Sequence, residues 1–343
     1  MRTLIVGLGA LGGTIATRAI AAGIPVWLAT RDEESARKLR AKGLHVSGVG
    51  GEAAATSARI APIESYANGE KFDLILLATK AHDALEVAPF LARLLLPSGS
   101  LLCIQNGGVS QILSERASGV VVGGLSNLGA TLVESGVYQQ SNAGHLLIGE
   151  VRGGVSDRAR DVAAALSPAI EMRVTANLPG AIWAKLLLNC SVTTIGALAN
   201  RTMREYMTLP AGREVFHRVY DETLAVALAN GTRPERMIVD PIPPQGPRDE
   251  WVDRIVATYG DIKPSMLQDF ERGRRTEIDF INGFVSQLGT KLGVPVAMNA
   301  AITGMAHRIE QGGSRPDPAR LDDLLRIVQS FTALPDGGTR RLH

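Results

Sequence analysis

The sequence predicts an α/β domain built on a parallel sheet, followed by an all-α domain. Three observations support this prediction. Apolar runs alternate with helix-like segments in the first half, a glycine-rich pattern follows the first apolar run, and long helical periods replace the strand signals from about residue 179 onward. We therefore expect two domains, 1–178 and 179–343, that divide next to the Asn-Leu-Pro-Gly stretch at 177–180.

Apolar runs and the turn residues between them predict the elements of the first domain. Strands are expected at 3–6, 25–29, 74–78, 100–104 and 120–125, and helices near 10–22, 32–42, 81–96 and 108–116. The segments 136–140 and 144–149 are predicted to form a short antiparallel pair that ends the sheet.

Helical periodicity predicts the elements of the second domain, with helices at 180–199, 210–230, 249–258, 265–272, 277–291, 296–311 and 317–332. Thr276 and Asp279 match a capping box, so one helix is expected to begin at Glu277. The stretch 232–248 holds five prolines and is interpreted as a long loop, and the tail 335–343 is expected to be mobile.

Residues 7–12 follow the first apolar run with the pattern GxGxxG and lead into a helix-like stretch. In that pattern the first glycine permits a tight turn, the second lets the backbone approach a pyrophosphate, and the third lets the helix pack against its strand. The N–H groups at the helix start would face the phosphates. We predict a Rossmann-type dinucleotide site formed by the whole loop: Gly7, Leu8, Gly9, Ala10, Leu11 and Gly12. The alternative is an ordinary strand–turn–helix with small residues.

The end of the second predicted strand indicates which nucleotide is bound. An acidic residue there would bind the ribose 2′-hydroxyl of NAD, whereas a basic one would meet the 2′-phosphate of NADP. The strand ends in Thr30 and Arg31, while Asp32 is interpreted as the N-cap of the next helix. Arg31 can offer a planar fork to a phosphate and Thr30 a hydroxyl, so NADP(H) is the predicted cofactor. A solvated surface arginine is the alternative.

Two polar residues follow later strands of the predicted sheet. Lys80 comes after the strand 74–78 and Asn106 after the strand 100–104. Ligands bind at the carboxyl edge of such sheets, so Lys80 could reach the cofactor, and the amide of Asn106 could serve both cofactor and substrate. A surface lysine and a tight Asn-Gly turn are the alternatives.

The second domain contains two more candidates for chemistry. Lys185 and Asn189 are four residues apart, hence on one face of a helix, and three leucines lie between them. Burying a lysine costs free energy unless it has a partner or a function, although its stem can also reach out to solvent. A carboxylate such as Glu277 is stabilised at a helix start, and capping alone would explain it.

Composition limits the possible function classes. The 343 residues carry a net charge of +2 with both signs interspersed, which does not favour nucleic acid or an anionic membrane as a partner. Cys103 and Cys190 lie in apolar runs and are interpreted as reduced core residues of a cytoplasmic protein. The six histidines are scattered, so no metal site is expected, and no stretch reaches the length of a membrane span without interruption.

Taken together, these motifs resemble the ketopantoate reductase (2-dehydropantoate 2-reductase) family over nearly the whole chain. The matching pieces are GLGALGG at 7–13, Arg31, the Lys80 cluster, QNGG at 105–108, WAKLLLNC at 183–190, SMLQD at 265–269 and TEIDFING at 276–283. The resemblance implies a Rossmann domain followed by an all-helical domain like that of 6-phosphogluconate dehydrogenases, with the active site in the cleft between them. It also makes a homodimer a reasonable expectation.

The resemblance implies a role for each matched residue. Lys185 corresponds to the family's catalytic lysine, which donates a proton to the keto oxygen of a small 2-keto acid, and Glu277 to a glutamate near this lysine and the nicotinamide ribose. The expected substrate contacts are Asn106, Asn189 and Ser265, and the expected cofactor contacts include Arg31, Lys80, Asn106 and Glu277. A positioned ammonium would stabilise the charge that grows on the oxygen during hydride transfer.

The chain departs from the pantothenate-pathway enzyme at positions that bear on the substrate. Where that enzyme has a second asparagine, eight residues after the catalytic lysine, Thr193 stands here as a substrate-binding candidate. An insertion at 232–263 precedes Ser265, and the segment NRTMR at 200–204 replaces an asparagine-containing loop. Despite these differences, the resemblance implies NADPH-dependent reduction of 2-dehydropantoate to pantoate. Another 2-oxo acid, a carbonyl or an imine, or a non-catalytic NADPH sensor, is the alternative.

Overall fold

The computed structural model describes residues 1–56, 58–117 and 119–332. Two compact units are present, one over Met1–Ala181 and one from Ile182 onward. The boundary predicted at 178/179 stays a prediction, and the tail prediction for 335–343 lies outside the described residues.

Unit 1 contains twelve strands within its described residues: β1 Thr3–Val6, β2 Val26–Thr30, β3 Leu44–Gly48, β4 Ala53–Ala55, β5 Arg59–Pro62, β6 Phe72–Leu77, β7 Leu95–Cys103, β8 Val121–Ser126, β9 Ala130–Glu134, β10 Val137–Gln140, β11 Leu146–Glu150 and β12 Met172–Val174. Its α-helices are α1 Ala10–Ala21, α2 Glu33–Lys42, α3 Ala81–Leu94, α4 Val109–Arg116 and α5 Asp157–Leu166, and Ile63–Asn68 is a 3₁₀ helix.

Eight strands form the main sheet in the order β12-β11-β8-β7-β6-β1-β2-β5. The six strands from β8 to β5 are parallel, β11 is antiparallel to β8, and β12 is parallel to β11. Strand order reverses between β1 and β6, which is the switch point where a doubly wound sheet binds its ligands. The predicted α/β fold class is confirmed. β1 and β2 are buried from end to end, and β6 is buried at every residue except Asp73, as expected for a sheet covered by helices on both faces.

The predicted antiparallel pairing of 136–140 with 144–149 is wrong. β10 lies between β3 and β9 in a separate four-stranded sheet, whereas β11 pairs with β8 in the main sheet. The burial patterns give the physical reason. β10 alternates between buried and exposed positions and so has one covered face, but β11 is mostly buried, as in a sheet covered on both faces.

Up to residue 332, where the description of the chain ends, unit 2 is all helical, and α6 Leu178–Leu188 crosses the point of division. The α-helices that follow are α7 Thr194–Ala199, α8 Met203–Tyr206, α9 Pro210–Ala229, α10 Asp249–Tyr259, α11 Ser265–Glu271, α12 Asn282–Leu292, α13 Ala297–Glu310 and α14 Ala319–Thr332. Residues Asn189–Thr193 form a π-helical turn between α6 and α7, and Ile278–Phe280 is a 3₁₀ helix. The core packs around α9, whose residues Val215, Phe216 and Val219 are fully buried.

The capping box predicted at Thr276 and Asp279 does not form. The Asp279 carboxylate instead bonds to His307 at 2.8 Å and pairs with Arg275 at 3.2 Å. Without that cap, a short 3₁₀ turn follows Glu277, and α12 begins five residues later, at Asn282. The prediction that a helix begins at Glu277 is therefore wrong.

Two expectations concern buried apolar segments. Cys103 and Cys190 are buried and unbridged, as predicted. The segment Leu178–Ala199 is, by length and composition, able to cross a membrane, although Lys185 interrupts its apolar sequence. Because 72% of its most apolar window is buried inside the protein, it fits a core helix and is weak evidence for a membrane span.

Candidate functional site

In unit 1, the glycine loop joins β1 to α1 and leaves the helix N-terminus open. Gly7 has φ +94°, and a side chain there would meet the backbone nitrogen of Thr79 at 2.6 Å. A Cβ on Gly12 would lie 2.0 Å from the Gly7 carbonyl oxygen, whereas a Cβ on Gly9 would have nothing within 4 Å. Gly7 and Gly12 are therefore required by packing, and Gly9 faces open space beside free N–H groups. This geometry fits a phosphate.

Tyr138, in β10 of the four-stranded sheet, supports this loop, and sequence reasoning missed this residue. Its ring lies so close to Gly13 that a Cβ there would be 2.0 Å from a ring carbon, and its hydroxyl donates to the Leu8 carbonyl at 3.1 Å. Burial of the phenol raises the pKa of Tyr138 to about 12, so it stays a donor at neutral pH. The available signal was the fourth glycine, at 13, which is not required by the GxGxxG pattern.

The end of β2 has the arrangement that was predicted for Asp32. The Asp32 carboxylate accepts from the Ser35 N–H at 2.7 Å, which caps α2, and this hydrogen bonding lowers the pKa of Asp32. The Thr30 hydroxyl donates to the Asp32 carbonyl at 2.9 Å, so it is used within the turn. The side chain of Arg31 is 82% exposed and 3.4 Å from Asp83, which leaves its guanidinium open to a ligand.

Lys80 and Asn106 follow adjacent strands at the carboxyl edge of the main sheet. Lys80 directly precedes α3, and Asn106 lies in the turn between β7 and α4, where Gly107 has φ +77°. Gln105 links the two loops, because its amide nitrogen donates to the carbonyls of Leu77 and Thr79 at 2.9 and 3.0 Å. These loops and the glycine loop thus lie along one edge of unit 1.

In unit 2, Lys185 lies in α6 among leucines and is only partly exposed. Burial of its amine lowers the pKa of Lys185 to about 8, and the nearby charge of Glu277 offsets part of this effect by raising it. The two predicted catalytic residues therefore lie close enough for their charges to interact. A lysine in this state is protonated at neutral pH yet gives up its proton far more readily than a solvated one.

Asn189 and Thr193 begin and end the π-helical turn that follows α6. The Thr194 N–H reaches back five residues to the Asn189 carbonyl, and the hydroxyls of Thr193 and Thr194 donate to the same oxygen at 3.0 Å each. The backbone therefore departs from the regular α-helical period between Asn189 and Thr193. With its proton engaged, Thr193 can offer a ligand only acceptor lone pairs.

Ser265 begins α11 directly after Pro264, and its side chain is exposed. A Cβ on Gly196 of α7 would lie 3.0 Å from the Pro264 ring, so the start of α11 packs closely against α7. Ser265 therefore lies near the helix that continues from the π-helical turn. Among the described residues, no group of three or more histidine, cysteine, aspartate or glutamate side chains could hold a metal ion.

Comparison with known proteins gives matches along most of the chain. The family model described as "Ketopantoate reductase PanE/ApbA" matches residues 3–153, and "Ketopantoate reductase PanE/ApbA C terminal" matches residues 177–310. The 2-dehydropantoate 2-reductase of Pyrococcus abyssi is 30% identical over 89% of this chain and 96% of its own length. The enzyme of the same name from Archaeoglobus fulgidus is 29% identical over 91% of this chain and 98% of its own.

Solved structures share the whole fold. A PanE/ApbA family ketopantoate reductase from Ralstonia eutropha is 25% identical with a TM-score of 0.78, covering 91% of this chain and 99% of its own. A D-mandelate dehydrogenase solved with NADH and anilino(oxo)acetate reaches a TM-score of 0.77 over the same shares of both chains. At 22% identity, the second likeness concerns the fold alone.

Proposed function

The chain belongs to the ketopantoate reductase family of oxidoreductases acting on CH–OH groups, and on that premise we propose that it catalyses NADPH-dependent reduction of a 2-keto acid. The proposed substrate is 2-dehydropantoate and the product pantoate, as in the named relatives. The observation that carries this proposal is the state of Lys185. Its amine lies in an apolar helix near Glu277, and burial lowers the pKa of this amine to about 8. An ammonium so placed is a proton donor suited to neutral pH.

The reaction requires a hydride at the 2-carbon and a proton on the keto oxygen. When bound, the reduced nicotinamide supplies the hydride. The Lys185 ammonium stabilises the negative charge that develops on the oxygen and then donates its Nζ proton to it, leaving a neutral amine that solvent reprotonates. Glu277 stabilises the ammonium before transfer, which keeps Lys185 protonated at neutral pH.

Four side chains are proposed to orient the substrate. Asn106, Asn189 and Ser265 each offer donors to its carboxylate and hydroxyl oxygens, whereas Thr193 offers an acceptor to a substrate hydroxyl. Fixing the keto acid in one orientation lowers the entropic part of the barrier.

Cofactor binding is proposed for the glycine loop, Thr30, Arg31, Lys80, Asn106 and Glu277. The open helix N-terminus beside Gly9 suits the pyrophosphate. The chemistry of the β2 end favours NADPH over NADH, because Asp32 is committed to capping α2 and the exposed Arg31 guanidinium suits a 2′-phosphate. The cytoplasmic location and the homodimer stay predictions.

Replacing Gly9 with alanine separates cofactor binding from folding. The new methyl meets no atom within 4 Å, and Gly9 has φ −71°, so the melting temperature should stay unchanged. If the pyrophosphate approaches this backbone, the Kd for NADPH should rise about tenfold or more, because the methyl intrudes on the contact. Fluorescence titration with NADPH measures it.

Gly12→Ala is the matched control for Gly9→Ala, because its methyl would lie 2.0 Å from the Gly7 carbonyl oxygen. That variant should lose about 1–3 kcal/mol of unfolding free energy to overpacking. Normal NADPH affinity in Gly9→Ala would contradict the proposed cofactor site.

Arg31→Ala tests the choice of nucleotide. The KM for NADPH should rise about tenfold, because charge-assisted bonds to the 2′-phosphate are lost, while the KM for NADH should stay unchanged. Arg37→Ala, on the exposed surface of α2, is the control for loss of one positive charge. Equal effects of Arg31→Ala on both nucleotides, or an effect of Arg37→Ala as large as that of Arg31→Ala, would refute the assignment.

The reaction itself is tested by following NADPH absorbance with a panel of 2-keto acids. Stoichiometric formation of pantoate from 2-dehydropantoate supports the proposal. Oxidation with a different 2-keto acid alone would favour the second candidate, a reductase of another substrate, for which the engaged hydroxyl of Thr193 is the motivating observation. Tight NADPH binding without oxidation by any member of the panel would contradict both and indicate a sensor.

A further inference from the structure

The π-helical turn at Asn189–Thr193 is surrounded by side chains that bond its carbonyl groups. Three successive carbonyls each accept from a side chain: Asn189 from two threonine hydroxyls, Cys190 from the Asn282 amide at 3.4 Å, and Ser191 from the Tyr206 hydroxyl at 2.7 Å. Carbonyls in a regular α-helix need no such donors. A turn with an extra residue is costly to hold, and turns of this kind occur frequently at functional sites.

Asn282 belongs to a chain of buried hydrogen bonds in which each donor and acceptor is fixed by its neighbour. A carboxylate only accepts, and Glu222 Oε2 accepts from both the backbone N–H and the side-chain Nδ2 of Asn299 at 2.9 Å each, so the Asn299 side-chain oxygen faces Asn282. That oxygen accepts from Asn282 Nδ2 at 3.0 Å, so the same nitrogen is directed to the Cys190 carbonyl. Asn282 and Asn299 are both fully buried. Each amide thus has one orientation that satisfies its neighbours.

Tyr206 reaches the same turn from α8. It is fully buried, and its ring lies 3.8 Å from a Cβ placed on Gly196, the same glycine that packs against Pro264. Tyr206 therefore bonds to the π-helical turn and lies near Gly196, on which Pro264 also packs. A shift of this ring would act on the turn directly and on the start of α11 through Gly196.

We propose that Tyr206 and Asn282 are positioning residues, which hold the π-helical turn so that Asn189 and Ser265 present their polar groups to the substrate. The identity of the ligand in this inference rests on the proposed function. The stabilisation of the turn by Tyr206 and Asn282, which we call the held turn, does not depend on that function. Neither residue contacts the reacting atoms in this account. The effect of both residues passes through the backbone of Asn189–Thr193, and that of Tyr206 also passes through Gly196 to Pro264.

Tyr206→Phe is the primary test, because it removes one hydroxyl and keeps the buried ring. The KM for the keto acid should rise about 10- to 100-fold, since small displacements of positioning groups carry penalties of that size. The Kd for NADPH should stay unchanged, and so should the pH at which kcat/KM falls, because burial and Glu277 set the pKa of Lys185 in α6. Asn282→Ala, a more disruptive second variant, should show the same pattern.

Tyr220→Phe is the matched control. Tyr220 is also buried in unit 2, and its hydroxyl donates to a backbone carbonyl outside the turn, that of Pro241, at 2.9 Å. An unchanged KM in Tyr206→Phe would overturn the proposal, and so would an equal rise in Tyr220→Phe, which would indicate general loosening of the helical unit.

Amide hydrogen exchange of the segment 186–198 separates this inference from the proposed function. Exchange there should quicken in Tyr206→Phe and Asn282→Ala but not in Tyr220→Phe, whether or not the protein reduces 2-dehydropantoate. If the wild-type protein lacks activity and exchange behaves as expected, the proposed function fails and the held turn stands. Unchanged exchange in both variants would refute the held turn itself.

Discussion

Lys185→Met should lower kcat for the keto acid about a thousandfold while leaving the Kd for NADPH unchanged. Loss of a general acid alone costs 10²- to 10⁴-fold, and this variant also removes the charge that stabilises the developing oxyanion. Single-turnover oxidation of NADPH at saturating substrate, followed by absorbance, measures the hydride step directly.

Two further measurements would identify the cause of that loss of activity. The lowered pKa of Lys185 means that burying its charge is unfavourable, so the methionine variant should melt at the same or a higher temperature than the wild type. Lys185→Arg keeps the positive charge but cannot release a proton near neutral pH, so it should recover only the part of the loss that comes from the missing charge and stay at least about a hundredfold below the wild type. Substantial activity in either variant would contradict a proton-donating role for Lys185.

The pH dependence of kcat/KM should report the ionisation of the Lys185 amine. Since protonated Lys185 is the active form and burial lowers its pKa to about 8, kcat/KM for keto-acid reduction should be level below pH 8 and fall above it. With a tenfold loss for each pH unit, activity at pH 10 should be about a hundredfold below the plateau. Steady-state rates between pH 6 and about 10 test this, because kcat/KM reports groups of the free enzyme.

Glu277→Gln should move that fall to lower pH. The charge of Glu277 raises the pKa of Lys185, so its removal leaves the effect of burial unopposed. Glu271→Gln is the control, because Glu271 lies on α11 and pairs with Lys263, at 2.8 Å. A profile that stays in place or moves to higher pH in Glu277→Gln would show that the two residues are not coupled as described.

The sequence was sufficient to predict the structure where a short local pattern has one geometric cause. The glycines at 7 and 12 were predicted because a tight turn and a close helix each exclude a side chain, and the structure shows both exclusions. Asp32 was predicted as a cap from the helix that follows it. Each of these depends on contacts within a few residues or with the adjoining strand.

Sequence reasoning failed where distant segments decide the outcome. Tyr138 reaches Leu8 from 130 residues away, and no local pattern links the two. The sequence predicts one continuous helix over 180–199, but a π-helical turn interrupts it, and donors from α8 and α12 bond the carbonyls of that turn. Asp279 matched a capping box locally but bonds to His307 instead.

The central claim is that the Lys185 amine donates the proton to the keto oxygen. A crystal structure of the protein with NADP⁺ and the 2-keto acid identified by the assay tests this most directly. We expect Lys185 Nζ within hydrogen-bonding range of the keto oxygen, about 2.7–3.2 Å. A closed ternary complex that places this nitrogen beyond about 5 Å, with no water bridging the gap, would contradict the account.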